Sequence, residues 1–264
     1  MIRILFLGDI VGNPGRQAVL RLVPYLRERE NVDCVIANSE NSAGGNGITP
    51  EIVKELLKSG VDVLTSGNHA WDKKEGIPLY DQEPRLLRPA NYPSTKYYRV
   101  PGVGSVLIET KKGEKVGVLN LIGRVFMNDY DCPFQIADRE LERMIDKTKV
   151  IFVDFHAETT SEKRAMGFFL NGRVSAVVGT HTHVQTADEQ IMSEGTAYLT
   201  DGGMTGPHDS VIGMEKDKVL ERFLTKMPIR YDVAKYDIRL QGAIIDIDGS
   251  SGKATSIRRV NEHL

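Results

Sequence analysis

The sequence predicts an α/β fold in which two mixed sheets pack face to face between outer helices, a four-layer αββα sandwich. Three observations predict it. Short apolar β-rich runs alternate with helix-period stretches through the first two thirds of the 264 residues. A hairpin and further buried runs follow. The tail then ends in two strands around a turn. So many strands in one chain imply two sheets, each covered by helices.

The elements follow in order. Ile2–Leu7 (IRILFL) is a buried-strand run that ends in the turn GDIVGNPG. Arg16–Glu30 places Val19, Leu22, Val23 and Leu26 at helical spacing. Val32–Ala37 is a second strand. After the loop ENSAGGNGIT, Thr49 offers an N-cap and Pro50 sits where a first helical turn tolerates it. Ile52, Val53, Leu56 and Leu57 mark the buried face of this helix, and Gly60 ends it. Val61–Thr65 is a third strand, leading into SGNHAWD. This βαβαβ order predicts parallel pairing with helical crossovers. Val106–Glu109 and Val116–Leu121 flank KKGEK and predict a hairpin. Ile136–Lys147 reads as an amphipathic helix, Val150–Phe155 as a buried strand and Glu162–Leu170 as a helix. Val174–Val178 and Ala197–Thr200 are strands on either side of GTHTHVQTADE. A short helix near Asp217–Leu224 precedes strands Ile238–Ile247 and Ala254–Val260. No repeat or long linker interrupts the pattern, so residues 1–264 read as one domain.

Composition excludes several classes. Lys and Arg number 34 against 36 Asp and Glu, a net charge of −2, which gives no general attraction to nucleic acid or to an anionic membrane. No apolar run approaches the ~18–20 residues of a membrane span. The start, MIRILFLGDIVG, reads as a strand and not as a signal peptide. The two cysteines lack CxxC spacing, so neither a thiolate zinc site nor a disulfide framework is expected. Cys34 lies in VDCVIA and reads as a reduced core thiol, which points to a cytoplasmic location.

The chemistry collects at strand ends. LFLGD ends at Asp9, CVIANSEN at Glu40 and Asn41, and VLTSGNH at Asn68 and His69. IFVDFH ends at His156, and AVVGTHTH at His181 and His183. Open α/β sheets form their sites beyond the carboxyl ends of strands. Each piece alone has an ordinary reading: a turn carboxylate at Asp9, a solvated loop at Glu40–Asn41, a hydrogen-bonded histidine at His69 or His156. His181 and His183, two apart on extended chain, face the same way and form the strongest single pair. Jointly the odds reverse, because four of the six histidines fall at predicted strand ends. A carboxylate, amide and imidazole set without thiolate suits Mn, Fe or Zn. Asp154 is a candidate to orient a ligand ring, and Trp71 reads as a core anchor. His208, Glu158 and Thr182 lie near the motifs with no assigned role. Basic or aromatic stripes for an extended RNA groove are missing.

The combination of GD, an acidic residue after strand two, GNH after strand three, a later strand-end His and GTHTH resembles the calcineurin-like metallophosphoesterases. The strings GDIVGNPGR, ANSENSAGGNGIT, SGNHAWD, DFHAETTSEK, GTHTHVQTAD and DGGMTGP are similar to the YmdB-like branch of bacterial phosphodiesterases over nearly the whole chain. The resemblance implies the calcineurin-like four-layer fold and a two-metal centre. Asp9, Glu40, Asn41 and His183 would hold one ion; Asn68, His156 and His181 would hold the second, with Glu40 bridging. His69 would stay off the metals and face the substrate. Two departures from the broad superfamily, Ile-Val after Asp9 where Asp-x-His is usual and Glu as the bridging acid, are features of the YmdB-like branch. Asn41 stands in for the missing histidine. The resemblance leans to iron, with manganese and zinc compatible.

The function so implied is hydrolysis of a small phosphodiester such as 2′,3′-cyclic AMP. A hydroxide between two cations would attack phosphorus in line, and His69 would serve as general acid. None of the serines has the GxSxG setting of a protein nucleophile. Two alternatives stand beside this reading: a phosphomonoesterase, and a metal-dependent nucleotide- or RNA-binding regulatory protein with little turnover. The tail hairpin would complete its own sheet or pair with another subunit in a homo-oligomer.

Overall fold

Alternation of apolar side chains on the strands of this computed structural model, which describes residues 1–264, separates three hydrophobic clusters and so sets the layers. The chain begins β1 (Ile2–Leu7), β2 (Asp9–Ile10), α1 (Gly12–Arg29), β3 (Cys34–Asn38), α2 (Pro50–Lys58), β4 (Val63–Thr65) and α3 (Leu79–Gln82). It continues β5 (Ser105–Glu109), β6 (Lys115–Ile122), α4 (Pro133–Glu142), β7 (Val150–His156), α5 (Thr160–Leu170) and β8 (Ala176–Thr180). It ends β9 (Gln190–Ile191), β10 (Ala197–Leu199), β11 (Met204–Pro207), α6 (Lys216–Thr225), β12 (Ile238–Ile247) and β13 (Ala254–His263).

One sheet runs β2-β11-β12-β1-β3-β4 with β13 on β12; the other runs β5-β6-β7-β8-β10-β9. Both are mixed. In the first, β1, β3 and β4 are parallel neighbours and β12 is antiparallel to β1. In the second, β6, β7, β8 and β10 are parallel, with antiparallel β5 and β9 at the edges. Leu5 and Leu7 of β1 join α1 and α2 residues in one cluster, whereas Ile2, Ile4 and Phe6 face the other sheet. On β7, Val150 and Phe152 face the first sheet, and Ile151, Val153 and Phe155 pack under α4 and α5. This period of two gives helix, sheet, sheet, helix. The four-layer expectation holds, and Phe6 meets Phe152 across the middle at 4.9 Å between ring centroids.

The corrections are local. The stretch after Leu7 is not simply a turn: Asp9 opens β2, which pairs with β11 through Met204. Helix α1 starts at Gly12 (φ 57°), four residues before the periodic pattern begins, with Pro14 near its N-terminus, where the missing N–H is harmless. Helix α4 ends at Glu142, and turns fill the stretch to Lys147. Thr49 caps α2 as expected, accepting from the Ile52 amide. The tail hairpin completes its own sheet, β12 lying between β1 and β11 and carrying β13. No helix is long and apolar enough to cross a membrane.

Candidate metal centre

Five parallel strands from the two sheets deliver the chemistry to one rim. Beyond β1 lies Asp9, beyond β3 Glu40 and Asn41, beyond β4 Asn68 and His69; β7 ends on His156, and His181 and His183 follow β8. Asp154 ties the sheets together behind them. Its carboxylate accepts from Asn38 Nδ2 (3.0 Å) of β3, Thr65 Oγ1 (2.5 Å) of β4 and Thr180 Oγ1 (2.8 Å) of β8. Burial pushes this carboxyl up to about 6 against those hydrogen bonds.

The densest grouping surrounds His156 Nε2. Glu40 Oε1, Asn68 Oδ1 and His181 Nδ1 each stand 3.0 Å from it. Three partners fix the imidazole tautomers. His156 Nδ1–H donates to Thr180 Oγ1 (2.9 Å), which passes the bond on to Asp154. His181 Nε2–H faces Glu158 Oε2 (3.0 Å), and His183 Nδ1–H donates to the Ile212 carbonyl (2.9 Å). Each ring thereby turns its other nitrogen inward. A proton on His156 Nε2 lies in line with only one of its three neighbours; a metal cation accepts all four donors at once. Charge points the same way. Burial works to raise the Glu40 carboxyl, yet the charge and hydrogen bond of His156 hold it at about 2. Burial works to lower His156, yet Glu40, Asp9 and Asp154 lift it to about 9. Burial and the neighbouring His156 push His181 down to about 3, so its ring is neutral and ready to coordinate.

Asp9, Asn41 and His183 lie alongside. Asp9 Oδ2 accepts from the His181 amide (3.1 Å), while Asp9 Oδ1 is buried with no hydrogen-bond partner, 3.8 Å from both His156 Nδ1 and His183 Nε2. Asn41 donates through Nδ2 to the Gly45 carbonyl (3.0 Å), and its Oδ1 is likewise buried and unpartnered. A buried oxygen acceptor left without a donor is the complement of a cation. His69 stands at the edge with its side chain 35% exposed; its amide donates to Glu40 Oε2 (3.2 Å) and its Nδ1 pairs with Asp72 Oδ2 (2.8 Å).

Sequence reasoning missed several supporting residues. Asp72 holds His69 and is itself held by Asn46 Nδ2 (2.9 Å), a partner that the WD after GNH places in view. Asp201 accepts from the Thr182 amide (3.2 Å) and hydroxyl (2.7 Å) and from Lys163 Nζ (2.7 Å), clamping the loop between His181 and His183. A Cβ on Gly67 would sit 2.2 Å from Glu40 Oε2, so only glycine fits there. Of the unassigned residues, Trp71 is a core anchor, with its ring edge-on to Tyr80 and Tyr92. His208 is half-buried with Nε2 3.2 Å from the Met204 carbonyl.

A model of the YmdB-like proteins matches residues 5–260. The chain belongs to the YmdB-like family. A Bacillus subtilis protein, 2′,3′-cyclic-nucleotide 2′-phosphodiesterase, is 47% identical over 98% of this chain and 96% of its own. A solved structure, that of a hypothetical protein from Thermus thermophilus, superposes with a TM-score of 0.91 at 40% identity, covering 99% of both chains. A novel phosphatase from Mycoplasma pneumoniae gives 0.92 at 32% identity over 99% of this chain and 93% of its own. Membership of this metallophosphoesterase-type family implies divalent metal ions, and Glu40, His156 and His181 form a group able to hold one.

Proposed function

We propose that this YmdB-like protein is a metal-dependent phosphoric diester hydrolase acting on 2′,3′-cyclic nucleotides through two metal ions. The observation that carries the reading is the set of lone pairs 3.0 Å from His156 Nε2, together with the buried Oδ1 atoms of Asp9 and Asn41 that have no hydrogen-bond partner. Asn68, His156 and His181 would hold one ion, Asp9, Asn41 and His183 the other, and the Glu40 carboxylate would serve both. Bound there, the ions supply a nucleophile from water at neutral pH and neutralise phosphoryl charge. Iron or manganese suits the mixed N/O donors, and zinc is compatible.

The remaining steps belong to the chain. His69, with Nδ1 held by Asp72, presents Nε2 to the leaving ester oxygen and donates the proton. Likeness to the Bacillus subtilis 2′,3′-cyclic-nucleotide 2′-phosphodiesterase supports the 2′ oxygen as that leaving group, with a 3′-phosphate as product. His69→Ala is expected to lower kcat by roughly 10²–10⁴-fold, with metal content per chain close to wild type. Kinetics paired with elemental analysis checks this; loss of metal would make His69 a ligand. Asp154→Ala, which frees Thr180 and with it the His156 ring, is expected to weaken metal affinity by about 10- to 100-fold in a metal titration.

The assay that tests the function uses manganese-loaded protein and 2′,3′-cyclic AMP, with bis-p-nitrophenyl phosphate and p-nitrophenyl phosphate beside it. Diester turnover abolished by EDTA supports the proposal. Turnover of the monoester alone would make the protein a phosphomonoesterase, and tight nucleotide binding without turnover would make it a binding protein.

A further inference from the structure

Backbone strain in this molecule gathers around the metal centre. Seven residues other than glycine have positive φ, and four of them, Phe126, His181, His183 and Ile212, belong to this rim or to the loops that meet it. Three of the four have a visible reason. His181 turns its amide onto Asp9, His183 points its Nδ1 at a carbonyl, and Ile212 supplies that carbonyl. Phe126 has none. It is the third residue of a turn closed by the Met127 amide on the Arg124 carbonyl (3.1 Å), at φ 60°, where Gly or Asn is the usual occupant. It is also 88% exposed, more than any other large hydrophobic residue, so packing does not repay the strain.

The turn is nevertheless firmly held. The Glu162 carboxylate, buried at the start of α5, accepts from the amides of Arg124 (3.0 Å) and Val125 (3.2 Å). Gly123, at the foot of the turn, donates to the carbonyl of His156 (2.9 Å). Three residues of chain carry Phe126 no further than roughly 11 Å from Gly123, Cα to Cα. The turn that carries Phe126 is therefore tied at its foot to the end of β7, where His156 stands, and it leaves the aromatic ring bare to solvent.

We propose that Phe126 is the stacking platform for the substrate's nucleobase and so a specificity-determining residue of the site. The proposal rests on the reading of the protein as a cyclic-nucleotide phosphodiesterase. It deepens that reading by naming what recognises the base. An aromatic face suits any base, so purines and pyrimidines are both accepted, the larger purine surface binding better.

The test compares kcat/KM for 2′,3′-cyclic AMP with kcat/KM for glycerol 1,2-cyclic phosphate, which has the same five-membered ring and no base. In Phe126→Ala the ratio of the two falls about tenfold, carried by KM for the nucleotide, and Phe126→Trp restores it. Phe126→Gly lowers the ratio equally yet melts no lower than wild type, because glycine relieves the left-handed strain. An unchanged ratio, an equal loss on both substrates, a lower melting temperature for the glycine variant or an altered oligomeric state for the alanine variant would each overturn the proposal. If wild-type protein cleaves neither substrate, the phosphodiesterase reading is what fails. Calorimetry with 3′-AMP then decides the stacking: about tenfold weaker binding by Phe126→Ala supports it, and equal binding refutes it.

Discussion

Glu40→Gln is expected to abolish hydrolysis of 2′,3′-cyclic AMP, with a loss of roughly 10²–10³-fold or more and no change in the circular dichroism spectrum. The two side chains have nearly the same shape. Gln keeps an oxygen for the His69 amide, so the rim retains its backbone geometry. What disappears is the negative charge. Glu40 is 2% exposed and is one of the two carboxylates in the proposed ligand set, with Asp9 the other. Without it the remaining donors are two amides, three imidazoles and one carboxylate, which bind a pair of divalent ions weakly and leave their separation unset. Steady-state kinetics with elemental analysis checks the prediction. A wild-type rate per bound metal would show that Glu40 does not serve both ions.

The largest effect on stability is expected from Asp201→Ala. Asp201 and Lys163 form an ion pair with side chains 1% and 2% exposed. Removing the carboxylate strands an ammonium in the interior and leaves the Thr182 and Gly203 amides without their acceptor. Breaking such a pair costs about 3–5 kcal/mol, a drop on the order of 10 °C in melting temperature for a chain of this size. The double variant Lys163→Met/Asp201→Asn, which removes both charges together, should recover much of that loss. Urea unfolding of the three proteins decides it, and a single-variant loss below about 1 kcal/mol would mean that water reaches Lys163. Because Asp201 also clamps Thr182, the single variant should lose metal as well.

Long strands were legible from the sequence because each carries its own apolar signal. Those of β1, β6, β7 and β12 fall within a residue or two of their observed bounds. The two-residue β2 was not legible, since Asp-Ile between glycines reads as a turn until β11 is beside it. Nor was β11, whose Gly206 and Pro207 suggest a loop. Helix α1 hid its first turn behind Gly12, Pro14 and Gly15, none of which contributes to a helical period. The site divides in the same way. Donors at strand ends are visible one motif at a time, and the structure brings all eight predicted residues to one rim. Their supporters depend on tertiary pairing: Lys163 meets Asp201 across 38 positions, and Asn38 meets Asp154 across 116. The strain at Phe126 has no signal in the sequence at all.

Anomalous diffraction from crystals soaked in manganese or iron bears most directly on the proposed dinuclear centre. Two peaks are predicted, one within bonding distance of Asn68, His156 and His181, the other of Asp9, Asn41 and His183, with Glu40 touching both. A single peak, or metal bound elsewhere while these donors stay bare, would contradict it.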